Sequence, residues 1–262
     1  MSQWTLEYDG FDPAQERLRE ALCTLANGYF ATRGAAEEAT ASPIHYPGTY
    51  LSGGYNRLTT EVAGRTVINE DLVNFPNWLC LTFRPENGEW FNLLAVEILS
   101  YRQELHLRNG LLIRSVRFRD KQGRESTVIS RRLVHMGNPH LAAIEASITA
   151  ENWSGRIRVK SALDGSVINA GVDRYRELNS KHLETVALGK AGEDGIYLLV
   201  QTNQSGIRVA EAARTQVFCR GRRLQTETRT YEESEAIAQE LAFDVDEGRT
   251  AKIEKIVALY SS

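Results

Sequence analysis

Leu141-Ala-Ala-Ile-Glu-Ala-Ser-Ile-Thr-Ala150 decides the fold, because it alternates. Ala142, Ile144, Ala146 and Ile148 fall on one side of an extended chain, and Ala143, Glu145, Ser147 and Thr149 on the other. That is the two-residue period of a half-buried strand. The period recurs on both sides of it. Upstream, Leu112, Val116 and Phe118 oppose Ser115, Arg117 and Arg119, and Trp4, Leu6 and Tyr8 mark a first strand. Downstream, Ile157, Val159 and Leu163 oppose Arg156, Arg158 and Lys160. Near the end, Ile237, Leu241, Phe243 and Val245 oppose Glu240, Asp244 and Asp246. Turn pairs punctuate these runs: Asn87-Gly88, Asn109-Gly110, Gln122-Gly123, Asn138-Pro139, Asp164-Gly165, Asp194-Gly195 and Glu247-Gly248. About a dozen or more such strands predict a mainly β protein, a large antiparallel β-sandwich. No repeat or linker divides the chain, so residues 1–262 read as a single domain.

One segment departs from the alternation. Asp12 as N-cap, Pro13 and Gln15 predict a helix over residues 13–26. Leu18, Leu22 and Leu25 would share its inward face, and Asn27-Gly28 would stop it. A short loop then carries Tyr29, Phe30 and Arg33 and closes at Gly34. Residues 35–56 form a long loop, of the kind that tends to be functional. Residues 169–182 are strongly polar and read as a crossing loop, with contact to a partner domain as the alternative.

Composition narrows the function. The chain is 42% hydrophobic and 25% charged, with a net charge of −3, which gives no basic stripe for nucleic acid. No apolar run approaches the roughly 18–20 residues of a membrane span. The start lacks a signal peptide, so a cytoplasmic protein is expected. Cys23, Cys80 and Cys219 are too scattered for a zinc or redox motif and read as reduced thiols.

Chemistry is sparse. The acids that could flank a scissile glycosidic bond are Glu70-Asp71, Glu37-Glu38, Asp164 and Asp173. Adjacent acids on one strand point to opposite faces, so Glu70 and Asp71 cannot serve one cleft unless they lie on a loop. His45, His106, His135, His140 and His182 show no metal-ligand spacing, and no nucleotide or acyl-transfer motif occurs. No catalytic residue, metal or cofactor is therefore expected. What remains are amide, aromatic and cationic side chains on loops: Asn27, Tyr29, Arg33, Tyr55, Asn74, Asn77 and Trp78. They could face a sugar or a neighbouring domain, although Trp78 and Trp153 suit a core equally well. Pro76 places Asn74 and Asn77 on an edge or a loop.

The run Ala26-Asn-Gly-Tyr-Phe-Ala-Thr-Arg-Gly34 resembles the start of glycoside hydrolase family 65, the maltose, trehalose and kojibiose phosphorylases and acid trehalases. The resemblance continues through Gly48-Thr-Tyr-Leu-Ser-Gly-Gly-Tyr55, Leu72-Val-Asn-Phe-Pro-Asn-Trp78 and Ser130-Arg-Arg-Leu-Val-His-Met-Gly-Asn-Pro-His140. It ends in Ala150-Glu-Asn-Trp-Ser-Gly155 and Ile256-Val-Ala-Leu-Tyr-Ser-Ser262. Cys23 and Ala31 depart from the family pattern. The resemblance implies a galactose-mutarotase-like supersandwich, with the catalytic glutamate in an (α/α)6 barrel absent from this chain. It implies a non-catalytic domain partnered by that barrel and shaping a site for an α-linked glucose disaccharide, with inorganic phosphate as co-substrate of a parent phosphorylase. An apolar patch left uncovered by the barrel could pair copies into a homo-oligomer. The alternatives are a free-standing carbohydrate-binding module and an aldose epimerase, which would need a histidine acid (His106, His135 or His182) and a carboxylate base in one cleft.

Overall fold

Wherever alternation is unbroken the chain forms antiparallel strands, numbered here in chain order. The structure is a computed structural model that describes residues 4–170 and 178–262. A ten-stranded sheet runs from β1 (Thr5–Asp9) through β8 (Glu97–His106), β9 (Leu111–Arg119), β10 (Glu125–Val134) and β11 (Leu141–Ala150). It continues through β19 (Thr250–Ser261), β15 (Arg208–Cys219), β14 (Gly195–Thr202) and β13 (Leu183–Ala191), with β16 (Arg222–Arg223) paired to β15. A four-stranded sheet, β17 (Glu227–Glu232), β18 (Ala236–Val245), β12 (Gly155–Asp164) and β7 (Leu81–Pro85), packs against it. Three short strands, β2 (Leu25–Ala26), β3 (Phe30–Thr32) and β4 (Thr49–Leu51), and a hairpin of β5 (Tyr55–Val62) and β6 (Arg65–Leu72) complete it. This is the mainly β sandwich that the alternation implies.

The two sheets meet through the positions that alternation selects. Val116, Val128, Ile144, Ile148, Ile253 and Val257 from the large sheet join Ile157, Val159, Leu163, Ile237, Leu241 and Phe243 in one buried core. Each such side chain contributes about 1.5–3 kcal/mol by leaving water. The last strand, β19, lies between β11 and β15, pairing Ile144 with Lys255 on one side and Thr215 with Lys255 on the other.

The outer face of the large sheet divides in two. One part carries cross-strand ion pairs: Arg117 to Glu125 and Glu151, Arg119 to Glu97 and Glu125, and Glu145 to Arg131 and Lys252. Solvent screening leaves such pairs worth little individually. The other part is apolar. Leu111, Leu133, Ala143 and Ile256 lie in register across β9, β10, β11 and β19, with Leu141, Ala258 and Ala212 in the next row.

The helix differs from the sequence expectation. It is the single α-helix among the described residues, α1 (Glu16–Leu22), two turns long. Gln15 precedes it without a side-chain cap, and Asp12 instead accepts the Ala14 N–H at 3.0 Å in the preceding turn. Leu18 and Leu22 face outward at 55% and 52% exposure, while Glu16 and Glu20 are buried. Leu25 is buried, but in β2. Gly28, with φ +86°, turns β2 into β3 rather than ending the helix. Of the three leucines only Leu18 and Leu22 lie on the helix, and the partners that meet Glu20 turn its acidic face inward. Residues 171–177 of the polar stretch 169–182, and with them Asp173, lie outside the described residues. Among the described residues no helix is long and apolar enough to cross a membrane.

Candidate functional site

Residues 35–48 are poor in large apolar side chains, so they cannot dock on the sheet by hydrophobic burial alone. They dock through charge. Arg114 and Arg132 sit on the inner faces of β9 and β10, in phase with Leu112 and Val134. Arg114 donates to Glu38 Oε1 at 2.7 Å and Glu37 Oε2 at 2.9 Å, and also reaches Glu38 Oε2. Ser130 Oγ donates to Glu37 at 3.1 Å, and Arg132 donates to the Ala35 carbonyl at 2.9 Å. Burial raises the Glu37 carboxyl, but Arg114 and Arg132 outweigh it and hold it below the usual range. Arg132 is pushed down by its own burial. A cavity of about 310 Å³ opens beside Glu37 and Glu38 and is also lined by Lys160, Asp164 and Tyr231. Glu37 is ionised there at neutral pH, so it accepts hydrogen bonds but has no proton to give as a general acid.

The other end of the loop closes on α1. Glu20 accepts from the Tyr46 N–H at 2.9 Å and lies 2.9 Å from His45 Nδ1, with Arg33 at 3.7 Å. Arg33 donates to the Tyr46 and Arg17 carbonyls, both at 2.8 Å, and lies over the Tyr46 ring. Gly34 approaches Cys23 so closely that a Cβ on it would sit 2.5 Å from the Cys23 Cβ. Arg33 thus holds the loop to the helix.

Asn27 accepts from the Tyr29 and Phe30 N–H groups and donates to the His135 and Pro139 carbonyls, all within 3.1 Å. The Tyr29 hydroxyl accepts from the Ser261 N–H at 2.7 Å, and its ring meets the edge of His140, which stacks on Tyr260. This signature therefore ties β2 and β3 to the β10–β11 turn and to the end of β19. Asn27→Ala removes four hydrogen bonds to backbone and is expected to lower stability by roughly 1–3 kcal/mol, read as a lower urea midpoint with the same slope.

Asn74 accepts from the Thr49 N–H at 3.0 Å and donates to the Pro47 carbonyl at 3.3 Å; Asn77 accepts from the Leu79 N–H at 3.1 Å. Both are buried, and Trp78 is fully buried. The segment around Pro76 is a loop, as its proline suggests, but its amides bond the protein's own backbone. Among the seven sequence candidates Tyr55 is the most exposed, at 50%, on the β5–β6 hairpin beside Leu72. On that hairpin Glu70 pairs with Arg57 at 2.5 Å, while Asp71 lies 3.4 Å from His182 Nε2, the opposite faces that strand geometry requires. His182 is buried, and burial lowers its pKa against the pull of Asp71. His106 pairs with Glu104 at the end of β8, and His135 Nδ1 accepts from Gly137 and Asn138 N–H groups in an exposed turn. None of the three meets a carboxylate in an open cleft, as an epimerase requires. Among the described residues no three His, Cys, Asp or Glu converge as metal ligands.

The structure is thus a two-sheet β-sandwich in which Glu37 and Glu38 are tied to the buried Arg114 and Glu70 to the exposed Arg57. The profile of the glycosyl hydrolase family 65 N-terminal domain matches residues 6–262. The chain belongs to that family. It is 46% identical over 259 residues to an uncharacterized glycosyl hydrolase of Mycobacterium tuberculosis, covering 99% of this chain and 19% of that protein. Trehalose 6-phosphate phosphorylase of Lactococcus lactis is 31% identical over 260 residues, with 99% and 32% covered. A putative kojibiose phosphorylase from human microbiome superimposes with a TM-score of 0.84 at 21% identity, covering 99% of this chain and 32% of that one. The chain thus spans between a fifth and a third of the length of these relatives.

Proposed function

We propose that this chain is the non-catalytic sandwich of an α-glucoside phosphorylase or hydrolase, acting with a catalytic barrel domain or subunit. The observation that carries this reading is the state of its acids. Glu37 and Glu38 are tied to Arg114, Glu70 to Arg57, and Asp71 lies beside His182. These four acids are thus committed to partners within the chain, and Asp164 accepts from the Ser166 N–H and hydroxyl. The relatives extend far beyond the matched segment, which gives room for a catalytic unit. The apolar half of the outer sheet face, ending at Ile256 and Tyr260, offers a surface for that unit, and the exposed Tyr55 hairpin offers a rim contact. The substrate would be a disaccharide such as trehalose, maltose or kojibiose, phosphate the co-substrate of a phosphorylase, and the cytoplasm its setting.

Purified 1–262 incubated with each disaccharide, with and without phosphate, is expected to release neither glucose nor glucose 1-phosphate. Turnover by the pure chain, abolished in an Arg114 variant that remains folded, would place the chemistry in the sandwich and overturn the proposal.

A further inference from the structure

A cavity of about 370 Å³, within the range of small-ligand sites (~300–1,000 Å³), opens at one end of the sandwich between β7 and the β9–β10 turn. Its floor is aromatic. Phe83 stacks on Phe91 at 5.1 Å between ring centres, Phe91 meets Phe118 at 4.6 Å, and Trp90 lies beside them with Arg84 over its ring. Its rim is polar and comes from two loops that are bonded together. Gln122 donates to the Asn87 carbonyl at 3.0 Å, and Lys121 reaches Glu89 at 2.9 Å.

The charges on the rim cancel in pairs. Lys121 faces Glu89, and Arg124 Nε donates to Asp120 at 2.7 Å. Arg124 makes no further hydrogen bond from its two terminal nitrogens within the described residues. One of these nitrogens lies 2.7 Å from where a Cβ on Gly88 would stand, so Gly88 keeps room for that guanidinium at the cavity wall. The arrangement combines an apolar aromatic floor, amide and guanidinium groups at the edge, and no net charge. A neutral pyranose has the matching surfaces: a C–H face for the rings and a rim of hydroxyls for the polar groups. An anionic ligand would face two carboxylates without a surplus cation, and a wholly apolar one would strip the rim of water without replacing its hydrogen bonds.

We propose that this cavity binds one neutral pyranose unit of a glucoside. The choice of α-glucosides as probes rests on the reading above; the site itself does not. Calorimetric titration of the 1–262 chain with maltose, trehalose and methyl α-glucoside is expected to saturate in the millimolar range. Trehalose 6-phosphate is expected to bind no tighter than trehalose. Trp90→Ala should weaken binding at least tenfold. Gln122→Ala, on the exposed rim, should weaken it several-fold with unchanged thermal unfolding. Gly88→Ala should weaken it by displacing Arg124. A flat titration at tens of millimolar of all three sugars overturns the proposal, as does binding that survives both Trp90→Ala and Gln122→Ala. Neither result bears on whether the chain is catalytic, which the disaccharide assay decides separately.

Discussion

Replacing Arg114 by methionine is expected to destabilise the chain by about 3–5 kcal/mol at neutral pH, the range found when one member of a buried ion pair is removed. Arg114, Glu37 and Glu38 have side chains no more than 7% exposed, so solvent cannot take over the lost partner. The pH dependence separates this cause from lost packing. In the parent chain Glu37 is held below its unfolded value of 4.5. Its contribution is therefore complete above that value and is lost as pH falls through the folded one. Without Arg114, burial is opposed only by Arg132, Ser130 and a backbone hydrogen bond, and the carboxyl is expected to move up. The variant then loses less stability than the parent as pH falls. The gap between parent and variant should consequently narrow between neutral pH and about pH 4, measured by urea unfolding. Adding Glu37→Gln and Glu38→Gln should recover much of the loss at neutral pH. A gap that stays constant with pH would mean that Arg114 acts by filling space.

The same residue shows what was legible in the sequence. Period-2 alternation located the strands and chose their inner faces, because burial of one face dominates strand energetics. That period also places Arg114 between Leu112 and Val116, Arg132 beside Val134, Glu211 between Val209 and Ala213, and Lys255 between Ile253 and Val257. Each is buried. The signal for inward charges was present, but a charged residue on an apolar face reads as an interruption until its partner is known. The partners lie far away in the chain: Glu37 and Glu38 for Arg114, Cys80 and Ala162 carbonyls for Lys255. Helix α1 fails for the same reason. Leu18 and Leu22 define an apolar stripe, yet Arg33, His45 and the Tyr46 amide attract Glu20, and the helix turns its acids inward. For the candidate site, residue type singled out loops that the structure ties into the sandwich. It did not reveal that the amides of Asn74 and Asn77 bond backbone, since those carbonyl and N–H groups come from tertiary contacts. The cavity above Phe83 and Phe91 also escaped the sequence reading, because its lining comes from two turns more than thirty residues apart.

Replacing Glu211 by methionine is expected to stabilise the chain by about 1–3 kcal/mol near pH 7, the cost of a buried polar group without a partner. Neither carboxyl oxygen of Glu211 has a hydrogen-bond partner within the described residues, and the side chain is fully buried opposite Leu198 and Leu259. Burial raises its pKa well above 4.5; Lys255 opposes this, and Asp164 adds to it. A group raised in this way gives its full stability below the unfolded value and loses it as pH climbs toward the folded one. The advantage of the methionine variant should therefore grow as pH is raised above 4.5, a rise in midpoint of about 2–4 °C per kcal/mol for a chain approaching this length. Lys255 has the opposite slope. Burial lowers it to about 8, against Cys80 and Glu211, so the stability it contributes above 10.5 is lost as pH falls toward 8. Lys255→Met should not reproduce the gain, because Nζ donates to the Cys80 and Ala162 carbonyls at 3.0 and 2.8 Å, and its removal takes a hydrogen bond from each, leaving Cys80 only the Ala162 N–H. If Glu211→Met instead lowered the midpoint at pH 7, the carboxyl would be an ordered participant in the core, bonded through buried water, and the inner face of β15 would need its charge.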